Sequence, residues 1–278
     1  MSMTIVPAGG AGAYVTGVNL NEVAPPELHQ MKDTLGQYGV MFFRKQDMSP
    51  EAHILFAEEF GAININRFFT PVAEYPQIAQ VLKEADQKKN IGEAWHTDHS
   101  YDQIPALGSI LVARELPKTG GDTLFISMFA AYDALSDDMK SKLEGLTAVH
   151  SSRHVFGKAA YLAGKDNELL GRLGNTDAAT QDAIHPLVID HPFSGRKALY
   201  VNPEFTVRIS ELPASQGSEL LEELYSHCQQ DDFIHRFQWE DGTVVFWDNR
   251  ASWHKALNDY PGERRYMHRI TIEGVPLV

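Results

Sequence analysis

The residues with the most capacity for chemistry fall in two short runs, Ala94-Trp95-His96-Thr97-Asp98-His99 and Phe246-Trp247-Asp248-Asn249-Arg250-Ala251-Ser252-Trp253-His254. In an extended segment side chains alternate between faces, so His96 and Asp98 point the same way while Thr97 points the other. One imidazole and one carboxylate then converge. A chain with 12 histidines produces such a pair readily by chance, so a third ligand is needed. His254 offers it, because the run that carries it opens as an apolar strand and leads into a loop rich in turn residues. Two imidazoles and a carboxylate on one side of a metal make the facial triad of non-haem iron(II) oxygenases, with positions left open for a co-substrate and oxygen. Catalytic zinc usually keeps a single open position. Iron is therefore the better fit, and a zinc-dependent hydrolase with an activated water is the alternative.

The elements that must position these residues are short strands. From about residue 90 the chain shows brief apolar runs separated by Gly, Pro, Asn and Asp: Ser109 to Ala113, Thr123 to Ile126, Leu187 to Ile189, Ala198 to Val201, Thr243 to Trp247 and Tyr266 to Ile272. Strands of this kind suit a closed sheet or a two-sheet jelly roll with helices packed outside, a mainly β fold with flanking helices. Upstream, Leu28, Met31, Leu35 and Tyr38 share one face of a helix over residues 26–38. Gly39 stops it before the strand Val40 to Phe43. Ser49 and Pro50 read as the N-cap and first residue of a second helix with a buried stripe of Leu55, Phe56 and Phe60. The stretch 158–183 is polar and carries three glycines without periodicity, which suits a lid over a site or a surface insertion equally. No internal repeat is visible, and residues 1–278 read as a single domain.

Composition narrows the partners. The formal net charge is −13, from 24 Lys and Arg against 37 Asp and Glu, which argues against nucleic acid because phosphates are held by cationic side chains. The first residues lack a basic stretch followed by a continuous apolar one, and no run approaches a membrane span, so a cytoplasmic address without a membrane partner is expected. Cys228 recurs with Leu220, Leu221 and Leu224 at helical spacing and reads as a buried helix thiol.

In order and spacing, Trp95-His96-Thr97-Asp98, Gly120-Gly121-Asp122-Thr123, His185-Pro186, Trp247-Asp248-Asn249-Arg250 and the tail from His254 through Asn258-Asp259-Tyr260 to Arg264-Arg265-Tyr266-Met267-His268-Arg269 resemble one family. It is that of the 2-oxoglutarate-dependent dioxygenases which includes taurine dioxygenase and the 2,4-dichlorophenoxyacetate dioxygenases. The resemblance implies a double-stranded β-helix, a distorted jelly roll. It also implies Fe(II) at His96, Asp98 and His254, with 2-oxoglutarate and O2 as co-substrates. Decarboxylation of 2-oxoglutarate to succinate and CO2 would accompany hydroxylation of an unactivated C–H bond. A homo-oligomer, dimer or tetramer, is expected as well.

By the same matching, Arg265 and Thr123 bind the distal carboxylate of 2-oxoglutarate, and a guanidinium fork suits a carboxylate. Arg269 holds an anionic group of the substrate. An even separation on a strand puts Arg265 and Arg269 on one face. His99, Asn66, Phe69, Phe156 and Phe205 are placed around the substrate pocket. Relatives that use taurine carry His and Tyr where this chain has Asn66 and Phe69, and Asn where it has Gly92. Losing those polar groups argues against taurine and for a carboxylate or sulfonate on a more apolar body. Asp248 reads as a structural carboxylate bonded to Arg250 or backbone groups, and His150, His154 and His235 as ordinary surface or core histidines. A non-catalytic jelly-roll binding protein would share the barrel but lack some of these groups, and this chain keeps them all.

Overall fold

The computed structural model describes residues 3–157 and 176–277. The chain starts with β1 (Thr4–Pro7), β2 (Ala13–Thr16), α1 (Pro25–Tyr38), β3 (Val40–Phe43), α2 (Pro50–Glu58), β4 (Ile63–Asn64), β5 (Pro71–Val72) and β6 (Tyr75–Lys83). It continues through β7 (Gly108–Glu115), β8 (Thr123–Ser127), α3 (Met128–Asp133), α4 (Asp137–Leu143), β9 (Thr147–Ser151) and α5 (Arg153–Phe156). After the undescribed stretch come β10 (Asp182–Pro186), β11 (Val188–Asp190), β12 (Lys197–Leu199), β13 (Thr206–Ile209) and α6 (Ala214–Cys228). The last strands are β14 (Ile234–Phe237), β15 (Val244–Asp248), β16 (Ser252–Ala256) and β17 (Arg265–Ile272).

Local chemistry accounts for the helix ends. The Ser49 hydroxyl accepts from the Ala52 N–H and Pro50 opens α2, while α1 ends at Gly39, whose left-handed φ of 73° lets its N–H reach the Leu35 carbonyl. The expected stripe on α2 is corrected at one position: Phe56 and Phe60 are buried, but Leu55 is 64% exposed. One residue of helix rotates a side chain by about 100°, and His53 and Ala57 take the inward positions instead.

Nine strands form the major sheet, in the order β1-β2-β3-β15-β7-β17-β6-β5 with β4 added on β17. A smaller sheet, β14-β8-β16, faces it. Alternation along the major strands separates two cores: Val40, Phe42, Leu111, Val245, Trp247 and Met267 pack with Phe125 and Phe237 of the small sheet, whereas Met41, Phe43, Ile110, Phe246, Ile270 and Ile272 pack under α1 and α2. A third core joins the back of the small sheet to β9, β11, β12 and α6, where burial pushes the Cys228 thiol up. The architecture is the mainly β jelly roll anticipated, as two facing sheets and no closed barrel among the described strands. The anticipated lid at 158–183 falls largely outside the described residues. Its last part forms a 3-10 turn, Thr176–Ala178, and the start of β10. No helix among the described residues is long and apolar enough to cross a membrane.

Candidate active site

The site lies where the two sheets approach each other. His254 is in the middle of β16, not beyond a strand end as its sequence context suggested, because Ser252 to Ala256 pair with β8 as a strand of their own. Reciprocal backbone hydrogen bonds join His96 to His254, with His96 N–H to the His254 carbonyl at 3.2 Å and His254 N–H to the His96 carbonyl at 2.9 Å. Thr97 points away from the site as expected, its hydroxyl donating to the Asn249 and Ser252 carbonyls. From Asp98 the backbone turns, closed by the Asp102 N–H on the His99 carbonyl. The turn nevertheless brings the carboxylate beside both imidazoles: Asp98 Oδ1 is 3.7 Å from His96 Nε2, and Oδ2 is 3.9 Å from His254 Nε2.

One candidate ligand atom from each of the three buried side chains lies within 4.8 Å of the others, a spacing that a single metal ion can bridge. Their protonation suits a cation. Burial alone would raise Asp98, but Arg269 and the neighbouring imidazoles outweigh it and hold the carboxyl well below the usual range. Burial, reinforced by His96, pushes His254 well below its ordinary value, so its imidazole is neutral. An ionised carboxylate and a neutral imidazole are the ligating forms. The Ala94 carbonyl lies 2.9 Å from His96 Nδ1, which leaves Nε2 free towards Asp98. His254 is oriented by packing, 4.6 Å from the Trp247 ring, and its Nδ1 has no partner among the described residues.

Two cavities meet at this triad. The narrower is lined by Thr123, Trp247, His254, Arg265 and Arg269 together with Gly92 and His96. Arg265 is buried there with Nε and Nη2 unpartnered, and Gly121 packs against its stem. Thr123 accepts from Trp239 Nε1 at 3.0 Å. A buried guanidinium with free N–H groups beside a neutral imidazole asks for an anion, and a dicarboxylate reaching towards a metal fits that demand.

The wider cavity, about 240 Å³, is walled by Phe69, Tyr101, Val155, Phe156 and Phe205, with Arg269 among its lining and Lys89, Glu93 and Glu204 also contributing. Arg269 Nη1 donates to Asp98 Oδ2 at 3.2 Å, its guanidinium lies 4.3 Å from the Phe69 ring centre, and its Nε is unpartnered. Gly92 borders both cavities. Its φ is 79°, and a Cβ built there would sit 3.1 Å from His96 Cε1, so the bare backbone keeps the metal-facing edge of His96 open.

Phe69, Phe156, Phe205 and Arg269 thus share one cavity, and Thr123 and Arg265 share the other, which Arg269 also borders. Asn66 and His99 line neither. A positive φ of 60° swings His99 behind the wall, where Asp102 Oδ2 takes its Nδ1 at 2.8 Å and Asn66 Nδ2 lies 3.3 Å from Nε2. Burial would raise Asp102, but hydrogen bonds from His99 and Arg67 and their charges hold it below its usual value. Tyr101 escaped the sequence reading, although its place three residues after Asp98 in a turn was a usable signal. Asp248 is buried as anticipated: Arg250 donates to it through its backbone N–H, Nε and Nη2, and His191 Nε2 lies 3.0 Å away.

The chain is similar over most of its length to known dioxygenases. Residues 5–271 match the taurine catabolism dioxygenase TauD, TfdA family. An alpha-ketoglutarate-dependent 2,4-dichlorophenoxyacetate dioxygenase of Burkholderia sp. strain RASC is 33% identical over 273 residues, covering 91% of this chain and 87% of that protein. A protein of Acinetobacter baylyi named alkylsulfatase is 32% identical over 270 residues, covering 96% and 83%. Among solved structures, a putative alpha-ketoglutarate-dependent taurine dioxygenase from Burkholderia xenovorans superposes with a TM-score of 0.82 at 30% identity, over 100% of this chain and 94% of that one. This chain belongs to the TauD, TfdA family and is a non-haem iron dioxygenase that uses Fe(II), 2-oxoglutarate (alpha-ketoglutarate) and O2.

Proposed function

We propose that the enzyme hydroxylates an unactivated C–H bond of a small organic carboxylate or sulfonate while 2-oxoglutarate is decarboxylated to succinate and CO2. The observation that carries this reading is the pair of buried arginines on β17, Arg265 in the narrower cavity and Arg269 bordering both, with the two cavities meeting at His96. His96, Asp98 and His254 hold the iron, Arg265 and Thr123 receive the distal carboxylate of 2-oxoglutarate, and Arg269 pairs with the substrate anion. When bound, Fe(II) with 2-oxoglutarate and O2 supplies the oxidising power. The protein's part is placement. Arg269 fixes one end of the substrate, and Phe69, Phe156, Phe205 and Tyr101 press its apolar body towards the triad and exclude water.

An aryloxyalkanoate or an alkyl sulfonate has the required shape, an anionic head on an apolar body. Relatives named for 2,4-dichlorophenoxyacetate and for alkyl sulfates are in keeping with this class. The test is succinate release from iron-loaded enzyme across anionic compounds paired with neutral isosteres, such as an aryloxyacetate and its amide. Stimulation by the acids alone is expected. Equal stimulation by the amides would remove Arg269 from substrate binding and with it the anionic class.

A further inference from the structure

Phe69 can line the substrate cavity only if the loop between β4 and β5 is held down, and the side chains that hold it are grouped on one side. Arg67 donates to both oxygens of Asp102, at 2.6 and 3.5 Å, and to Gln181 at 3.1 Å. Asn66 bends the loop on itself by accepting the Phe68 N–H at 2.9 Å, and its amide lies 3.3 Å from His99 Nε2. Phe68 is buried between Phe156, stacked at 4.4 Å, and Tyr101 at 6.1 Å. On the other side, His99 and Asp102 belong to the turn that begins at Asp98, and they are joined twice: through His99 Nδ1 and Asp102 Oδ2, and through the Asp102 N–H and His99 carbonyl. His99 holds a left-handed backbone conformation that a histidine adopts infrequently, so its surroundings must fix it.

We propose that Asn66, Arg67, His99 and Asp102 form a latch that binds the Phe69 loop to the Asp98 turn, so that the substrate wall and the carboxylate of the triad keep one fixed separation. These four are positioning residues, because none of them lines either cavity. The part of the inference that concerns substrate rests on the reading of Phe69 and Arg269 given above. The mechanical part does not. Arg67 and Asp102 are the two ends of one link: removing either end releases the loop, and removing the second then adds little.

Arg67→Ala and Asp102→Asn test the latch without touching the triad, and Arg67→Lys keeps the charge while losing the planar fork. Hydrogen exchange of backbone amides is read first, on iron-free enzyme with no substrate. Amides of residues 66–69 are expected to exchange about tenfold faster in Arg67→Ala and Asp102→Asn, with β17 unchanged, less so in Arg67→Lys, and no faster in the double variant than in the faster single one. The second readout is the ratio of hydroxylated product to succinate with an acid accepted in the screen. It should fall severalfold in the same order, while the 2-oxoglutarate requirement stays at the wild-type value. Unchanged exchange at 66–69, or strictly additive effects in the double variant, would overturn the latch. Faster exchange with an intact product ratio would leave the mechanical link standing and overturn its role in placing substrate. Because the exchange arm needs no substrate, it is decided even if the anionic reading of Arg269 fails.

Discussion

The two faces of the major sheet both hold arginine side chains, and they differ in how far each guanidinium is satisfied within the chain. Beneath α2, Arg114 donates Nε to His268 Nδ1 and Nη1 to the Met48 carbonyl, and His268 Nε2 meets the Tyr266 hydroxyl at 2.9 Å. That network uses Nε and Nη1 of Arg114 within the chain and leaves Nη2 alone without a partner. On the opposite face, β17 presents Arg265 with two nitrogens unpartnered and Arg269 with one. The residues concerned alternate along a single strand, Arg265 and Arg269 facing the cavities and Tyr266 and His268 facing the helix. Burial alone therefore does not mark function. A buried charge whose partners are absent from the chain does, because leaving such a group unpaired is costly unless a ligand completes it.

The contrast can be broken most severely at Asp98, the carboxylate that Arg269 pairs with. Asp98→Ala should abolish iron-dependent turnover with the melting temperature nearly unchanged, because the cores are apolar and do not depend on a metal. Turnover retained with iron bound would show that another group completes the triad. The next largest effect separates the two cavities. Arg265→Ala should weaken 2-oxoglutarate by about 2 to 5 kcal/mol, at least tenfold, the cost of leaving one partner of a buried charge pair alone. Arg269→Ala should leave the 2-oxoglutarate requirement intact and collapse hydroxylation relative to succinate formation. A 2-oxoglutarate titration of both variants checks this, and equal rises in requirement would erase the distinction.

The smallest effect lies on the closed face. Burial, with Arg114 and His268 adding to it, lowers His53 to about 3. The unfolded chain then takes up this proton near the ordinary histidine value while the folded protein does not. The stability His53 contributes is fully present above about pH 6.5 and is lost as pH falls from there towards 3, about 1 to 2 kcal/mol by pH 5. Replacing it, as in His53→Leu, should flatten the acid side of the stability profile measured by urea melts without changing turnover per iron at neutral pH. An unchanged slope would mean that other buried histidines, such as His150, carry the effect.

Much of this arrangement was legible in the residues. The strands that formed on schedule, such as Val40 to Phe43 and Tyr266 to Ile272, are apolar runs bounded by turn residues, and the motif spacings led to the triad and to both arginines. What stayed hidden has physical reasons. The nine-residue strand β6, Tyr75–Lys83, mixes Gln and Lys with its apolar positions because it lies near the sheet's edge, so its alternation is weak. The turn at Asp98 depends on a left-handed histidine that no local propensity announces, and it removed His99 and Asn66 from the cavity wall. Leu55 misled because the buried face follows His53, Phe56 and Ala57 at i, i+3 and i+4, which leaves the position before Phe56 facing outward.

The paired backbone bonds between His96 and His254 carry one more consequence, for the order of assembly. They join residues separated by more than half the chain, and the arginines that complete the cavities arrive later still, on β17. Contacts at such separation close late, since the loop between them must first lose its freedom. A chain emerging from a ribosome can build the first helices, α1 and α2, long before it has anywhere to put iron. Metal capture is thus a mark of completed folding, and half-made chains are spared a reactive ion they cannot shield.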